Sequence, residues 1–448
     1  MPIHKDFHPD YVKNLPIWTK CRDAFEGQEA VHDKGELYLP KLSGQKASDY
    51  KAYKMRALFY AITGKSISSM VGMATYKDPI LKYPKELEPY FKENSGIQFY
   101  ELYTTALKEV MLQGRLGVYV DRVKSNARPV TVTYIAENIL NWDVDDEGNL
   151  IEVVLLEHIA ARDVNDRFKK VITCQYRHLY LDNDGFVACD IYDNKGKIVG
   201  NTMQPTNRGV RMNTIPFYIL GPSGINCEVE KSPALDIVNI NLSHYRSSAD
   251  LEHGRHFTGL PTPVVIGSDS NTALHIGSST AWGLPAGGDA KYLEFTGQGL
   301  QSLQDALKEK ETQLASLSAR LLDNSRRGSE AAEAVKLRYM SETATLSSMS
   351  RGIESLLNTV YTTICRMENL DESELSIVLD KSFVSNKLTS GEMKELSQMF
   401  IDGTISEESY IYNLRTGERL DPNRTDDEEL IALKARRKEA LEAQKPTM

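Results

Sequence analysis

With 41% hydrophobic and 26% charged residues, the 448-residue chain can bury a sizeable core, and its length fits roughly three domains. A net charge of -9 argues against a protein that grips nucleic acid through its phosphates, yet suits a surface past which a polyanion slides. The five cysteines (Cys21, Cys174, Cys189, Cys227, Cys365) are widely spaced with no Cys-x-x-Cys, which argues against disulfide staples and a structural zinc site.

The start of the chain lacks the basic-then-apolar pattern of a secretory signal. Its longest apolar runs, such as Val153 to Leu156, are far short of a membrane span, so a soluble cytoplasmic protein is expected. Through residue 45, Gly27, Gly35, Pro40 and Gly44 are expected to break any long helix. From Ser48 to Val71 the apolar positions Tyr53, Met55, Leu58, Phe59, Ile62, Ile67 and Met70 predict one helix, and Phe99 to Leu112 a second. Gly117 to Asp121 reads as a buried strand. Short strands follow at Val130 to Ile135, Ile139 to Val144, Leu150 to Ile159, Val171 to Leu181 and Phe186 to Tyr192. Turns rich in Asn, Asp and Gly join them, which predicts a β-meander; Ile172, Cys174, Tyr176 and His178 share one strand face. Ile215 to Gly221 is one more strand.

The centre of the chain lies between Ser232 and Met367. Ser232 is placed to cap a helix and Pro233 to open it, with Leu235, Val238, Leu242, Tyr245 and Ala249 on one stripe and Gly259 and Pro261 beyond its end. Leu260 to Gly299 is an insert rich in Pro and Gly with strand-like pieces near Val264 and Ala281. A second helix carries Leu300, Leu303, Leu307, Leu314, Leu317 and Leu321. After the polar break from Asn324 to Gly328 comes the longest stripe: Leu346, Met349, Ile353, Leu356, Val360, Ile364 and Met367. Further on, a strand covers Leu375 to Asp380. Capping boxes at Thr389 to Glu392 and Thr425 to Glu428 open helices, and another helix follows Ser406.

Motifs for chemistry are weak throughout. Thr63-Gly64-Lys65-Ser66 resembles the end of a P-loop, but Phe59 stands where the first glycine belongs; a glycine in a surface turn is the simpler reading. Asp143, Asp145 and Gly148 imitate a calcium loop whose twelfth position falls on Val154, so a hairpin turn explains them better. His253 and His256 lack a third metal ligand. No catalytic signature is present, and neither an enzyme nor a cofactor is expected. Arg326 and Arg327, followed by Lys336, form a basic loop between two long helices.

At about 1.5 Å per residue, the first two central helices would run about 40 and 35 Å and the third, from near Ser329, about 55 Å. Two similar helices with an insert between their far ends imply an antiparallel pair, and copies in a ring would supply the neighbours such a pair needs.

This order of elements resembles the portal proteins of tailed bacteriophages. The resemblance covers nearly the whole chain from about Ser48 and rests on the succession of Ile139 to Asp143 with Trp142, Gln175 to Asp182, Ile215-Pro216-Phe217 and Tyr292 to Leu300. It implies an α+β, portal-like fold: an α/β wing (1–231), stem helices (232–259 and 299–323), a small β-containing clip (260–298) and a tunnel loop (324–335). A spine helix with a returning wing strand (336–387) and a helical crown (388–448) complete it. The implied assembly is a ring, usually of twelve copies, at one capsid vertex of the virion, formed in the host bacterial cytoplasm with no membrane. Double-stranded DNA would pass through it during packaging and ejection. Arg326, Arg327 and Lys336 would then face DNA. The clip, with Pro263, Trp282 and Pro285, would dock the terminase large subunit and a head-tail adaptor protein, and capsid and scaffolding proteins would surround the ring. The alternatives are another virion structural or adaptor protein, or a nucleotide-binding enzyme using Lys65.

Overall fold

The computed structural model of the protein describes residues 6–92, 99–122, 128–162, 166–207, 209–258, 262–267, 284, 286–293, 298–319, 332–381, 388, 390–417, 419–420 and 424–443. It is a mixed helix and sheet chain of the α+β kind, in two compact units, residues 1–379 and 380–448.

The first correction to the sequence reading comes at once. Pro9–Glu26 is an unbroken helix, α1, where no long helix was expected. The glycines and Pro40 that argued against it all lie beyond its end. Pro9 sits in its first turn, where a missing N–H costs nothing, and Tyr11, Trp18, Cys21 and Ala24 are buried. A short helix, α2 (Gln28–Asp33), follows. The single helix predicted from Ser48 to Val71 is in fact two, α3 (Ala47–Arg56) and α4 (Ile62–Ala74). Between them the chain turns extended at Ala57 and inserts Phe59 edge-on against Tyr245, with ring centroids 5.8 Å apart.

Strand β1 (Ile80–Lys82) and helix α5 (Glu88–Phe91) lead to α6 (Phe99–Gln113), which matches its prediction and is buried along most of its length. Arg22 of α1 reaches Glu109 of α6 at 2.8 Å and Glu137 at 2.6 Å, fixing the two helices to the sheet region. The strands β2 (Leu116–Asp121), β3 (Val130–Ile135), β4 (Ile139–Val144), β5 (Leu150–Arg162), β6 (Lys170–Leu181) and β7 (Val187–Tyr192) come next. A short pair, β8 (Thr206–Asn207) and β9 (Val210–Arg211), precedes β10 (Phe217–Gly221) and β11 (Gly224–Ile225). The meander is real but smaller than expected: β4-β5-β6-β7 form one antiparallel sheet, while β3 pairs with β2 in a second sheet ordered β11-β10-β2-β3. The reason is the short 3-10 turn Ala136–Asn138, with Ala136 fully buried, which redirects the chain between β3 and β4. Side chains from both sheets, among them Tyr119, Trp142, Val153, Leu155, Leu179 and Phe217, share one core with Tyr11 and Trp18 of α1.

The central helix α7 spans Leu235–Thr258. Ser232 does not cap it. Its hydroxyl donates to the Leu112 carbonyl at 2.7 Å, and the Ala234 N–H donates to Met111, so this segment anchors α7 to the end of α6. Strands β12 (Thr262–Ile266) and β13 (Asp289–Leu293) pair antiparallel, and α8 (Gln298–Ala319) follows. The long helix α9 (Ala332–Glu368) buries every member of its predicted stripe from Leu346 to Met367. Arg122 closes its end, donating to the Met367 carbonyl at 2.9 Å and pairing with Glu368 at 2.7 Å. Strand β14 (Ser376–Val378) then returns to pair with β1, and Asn358 of α9 bonds both the N–H and the carbonyl of Ile377.

The second unit holds α10 (Ser390–Ile401), α11 (Glu407–Thr416) and α12 (Asp426–Ala443). Thr425 and Glu428 form the expected reciprocal capping box, and the Ser406 hydroxyl accepts from the Ser409 N–H. Phe400 and Tyr410 stack with centroids 4.2 Å apart.

Candidate functional site: the antiparallel helix pair and its insert

The α7–α8 pair is antiparallel, as the residue contacts along it establish. Leu300 of α8 lies over Gly254 of α7, Lys310 over Ser247, and Glu311 over His244, so numbers fall on one helix as they rise on the other. A Cβ added to Gly254 would sit 2.5 Å from a Leu300 methyl, so this glycine leaves room for the Leu300 side chain. Leu307 and Leu314 are buried, continuing the apolar stripe of α8. β12 and β13 connect directly to the ends reached by Thr258 and Gln298, so the insert sits at the far end of the pair.

The seam of the pair is polar at its middle. Lys310 donates to the Ser247 hydroxyl at 2.5 Å and to the Ser243 carbonyl at 3.3 Å; burial, with Arg246 nearby, lowers its affinity for a proton. His244 is 3% exposed, its Nε2 is 3.4 Å from Glu311, and burial holds its imidazole below the usual range against the pull of Glu311. On its other sides α7 is held just as firmly. Tyr53 donates to Asp250 at 2.6 Å. Asn241, fully buried, accepts from the Thr63 N–H and hydroxyl at 3.1 and 2.9 Å and donates to the Tyr60 carbonyl at 2.7 Å. These groups all bond helix to helix, and none is set as a nucleophile with a base beside it.

Away from α7, α8 presents Gln301, Asp305, Lys308, Glu309, Thr312 and Gln313 to solvent. Several bond along the helix: Gln301 donates to Asp305 at 3.0 Å, and Thr312 to the Lys308 carbonyl at 2.9 Å. The face is polar, of mixed sign, and satisfied within itself.

Sequence reading picked out the residues around this pair rather than within it. Arg326, Arg327, Trp282 and Pro285 lie outside the described residues. Lys336 falls on the backbone of the first turns of α9, and Pro263 lies in β12, opposite Tyr292. The polar seam formed by Ser247, Lys310, His244 and Glu311, and the buried Asn241 on another side of α7, are not among the residues expected from sequence. A faint signal existed, since Asn, His and Ser interrupt an otherwise apolar helical pattern in α7, but the sequence does not name their partners.

The motif Thr63-Gly64-Lys65-Ser66 lies inside the first turns of α4, so it is neither a phosphate loop nor the surface turn expected in its place. Gly64 is pressed against α1, where an added Cβ would be 2.8 Å from the Phe25 carbonyl oxygen. The Asp143 to Gly148 segment is a hairpin turn in which the Asp145 carboxylate accepts the Glu147 and Asn149 N–H groups at 2.9 and 2.7 Å. His253 packs edge-on against Tyr53, and among the described residues no group of three or more His, Cys, Asp or Glu is placed to hold a metal. The five cysteines are free thiols. A cavity of about 170 Å³ near β2, β6 and the end of α9 is lined by Asp121, Arg177, Cys189 and Met367 among others. Its Arg177 is already paired with Glu157 at 2.6 Å and Asp121 at 3.4 Å, leaving no uncommitted cation for an anionic ligand. Among the described residues, no helix is long and apolar enough to cross a membrane.

Residues 233–366, from α7 to the end of α9, match a family model described as a domain of unknown function (DUF4055). No curated protein matches the chain. Among solved structures, a chain in the virion of a native gene transfer agent (GTA) particle is 11% identical with a TM-score of 0.41, covering 86% of this chain and 98% of that one. A chain in the neck of an empty GTA particle, computed with C6 symmetry, is 11% identical with a TM-score of 0.40, covering 83% and 94%. One in the neck of a native GTA particle, computed with C12 symmetry, is 12% identical with a TM-score of 0.39, covering 79% and 89%. Likeness this loose carries no conclusion about role, whereas the family match marks α7 through α9 as one inherited block.

Proposed function

We propose that this chain is a structural component of a phage-like particle and, more specifically, a portal subunit without enzymatic activity. Copies of it form a ring at one capsid vertex, through which double-stranded DNA is packaged, retained and ejected. The observation that carries the reading is the antiparallel α7–α8 pair with a strand-bearing insert at its far end, followed by the long helix α9 packed on the sheet region. The pair carries the insert between its two helices, and α8 has one packed face and one polar face. In a ring that polar face is available to line a channel, and its mixed charge suits DNA that must slide rather than stick.

In this assignment residues 1–231 form the wing, 232–259 and 299–323 the stem, 260–298 the clip, 324–335 the tunnel loop, 336–387 the spine with its returning strand, and 388–448 the crown. The clip, through Pro263, Trp282 and Pro285, docks the terminase large subunit and later a head-tail adaptor protein. Arg326, Arg327 and Lys336 meet the DNA backbone. Capsid and scaffolding proteins contact the outside of the ring, which holds about twelve copies if cyclic closure follows the portal pattern.

Light scattering on sized fractions, with negative-stain images of the same fractions, tests the reading. Rings with a central hole and a mass near twelve chains are expected. Particles that stay monomeric or dimeric at every concentration, with scaffolding and capsid proteins added, overturn it.

A further inference from the structure

The β5–β6 hairpin outruns its own sheet. β4 pairs with β5 as far as Leu155, and β7 pairs with β6 as far as Tyr176, but β5 and β6 stay paired out to Arg162 and Lys170. From the pair Glu157–Gln175 to the pair Arg162–Lys170, no described strand lies beside the ribbon. At about 3.4 Å per residue, it projects about 20 Å. A bare two-stranded ribbon is marginally stable in water and gains little by exposing apolar side chains. Yet Phe168 at the tip is 91% exposed and Ile172 on the ribbon 71% exposed, with Ile159 half-exposed on the opposite face.

Charge is sorted along the same sheet. In sequence the free end carries Arg162, Arg167, Lys169 and Lys170 against Asp163 and Asp166, a net charge of +2. The other end holds the turns after β4 and β6, with Asp145, Asp146, Glu147, Asp182 and Asp184; among the described residues Asp182 there is paired with an arginine, Arg211. One end is therefore cationic with an exposed aromatic, and the other is anionic. A surface with complementary patches at two different places favours a heterologous, head-to-tail contact, and such contacts generate rings when the rotation closes.

We propose that the free end of the β5–β6 ribbon is a docking arm between copies of this chain. Its cationic tip seats on the acidic turn end of the β4–β7 sheet in the neighbouring copy, and the contact covers Phe168 and Ile172. Each copy gives its arm to one neighbour and receives an arm from the other. The inference rests on the ring proposed above and names the surfaces that close it.

The test uses the full chain in three forms. Arg162→Glu, Lys169→Glu and Lys170→Glu together reverse the tip. Asp146→Lys, Glu147→Lys and Asp184→Lys reverse the turn end, and all six together restore complementarity. These side chains are exposed, so unchanged tryptophan fluorescence on unfolding establishes that each form is folded. Each triple variant is expected to lower the ring fraction at fixed concentration about tenfold, as like charges meet across every interface, and the six-fold variant to recover it. Phe168→Ser, with charge untouched, should weaken ring formation by a smaller factor. If the unmutated chain forms no ring, the portal reading and the arm fall together. If it forms rings and the tip-reversed chain forms them equally well, the arm alone is overturned. A closed dimer with the same charge dependence also overturns it. So do normal rings from a tip-reversed chain that has lost binding to a short DNA duplex, which would assign the ribbon to nucleic acid.

Discussion

Helices α7 and α8 look alike in length and are built on different plans. α8 has a clear apolar stripe, with Leu307 and Leu314 buried and the opposite face polar and exposed. α7 keeps its predicted stripe, with Val238, Leu242, Tyr245 and Ala249 buried, but Asn241 and His244 are buried among them. The cause is the number of partners. α8 packs on α7, whereas α7 packs on α1, α3, α4 and α8 together. A helix enclosed on several sides needs polar groups inside to satisfy its neighbours' backbone, and its hydrophobic pattern blurs. A helix with one covered face keeps its stripe and leaves the rest for a channel or another subunit.

That contrast is sharpest at Asn241. Asn241→Leu keeps the volume but leaves the buried Thr63 N–H and hydroxyl without their acceptor and takes one of two donors from the Tyr60 carbonyl, at a cost of about 4 kcal/mol. All three tryptophans lie before residue 380, so fluorescence in urea follows the unit that contains α7. A loss under about 1 kcal/mol would mean that the Asn241 bonds to Thr63 and Tyr60 are not what holds α7, and the contrast with α8 would collapse. On α8 the comparable change is apolar. Leu314→Ala removes a fully buried side chain from a helix with one packed face, and about 3 kcal/mol is expected in the same measurement.

How much of this was legible follows the same logic. The α9 stripe from Leu346 to Met367 reads directly from spacing because one face of that helix meets the sheet region. The antiparallel α7–α8 pair was legible too, from two similar helical patterns flanking an insert. α1 was not, because its buried face is made of Tyr11, Trp18, Cys21 and Ala24 set among lysines, and the glycines that seemed to forbid a helix all come later. Ser232 illustrates a different limit. A serine before Pro233 has the chemistry of a cap, but the Leu112 carbonyl, distant in sequence, claims its hydroxyl. Turn chemistry was readable at Asp145 and Thr425, where every partner lies within four residues. Partners at long range, such as Thr63 for Asn241 or Ser247 for Lys310, leave no trace in spacing.

His244 separates the two helices by pH. Burial depresses its imidazole below 6.5, while Glu311 raises it, Lys310 lowers it, and the Tyr60 ring lies edge-on to it at 5.8 Å. Above 6.5 the side chain is neutral in both folded and unfolded chains. As pH falls through that value the unfolded chain takes up the proton first, so stability is lost on acidification. His244→Gln is expected to lose less stability than the wild type over that interval. Equal slopes in urea titrations at neutral and mildly acidic pH would remove His244 from the balance.

The smallest effect is expected where Leu300 of α8 packs on Gly254 of α7. In Gly254→Ala the new methyl meets the far end of Leu300, a flexible side chain that can turn aside, and not a backbone atom. Replacing a mid-helix glycine gains about 1 kcal/mol of helix propensity, which offsets the displaced methyl, so the urea midpoint should move by less than about 0.5 kcal/mol in either direction. A loss of about 2 kcal/mol or more would show that α8 cannot shift against α7. The one-sided helix would then be held as rigidly as the enclosed one, and its exposed face would owe its position to α7.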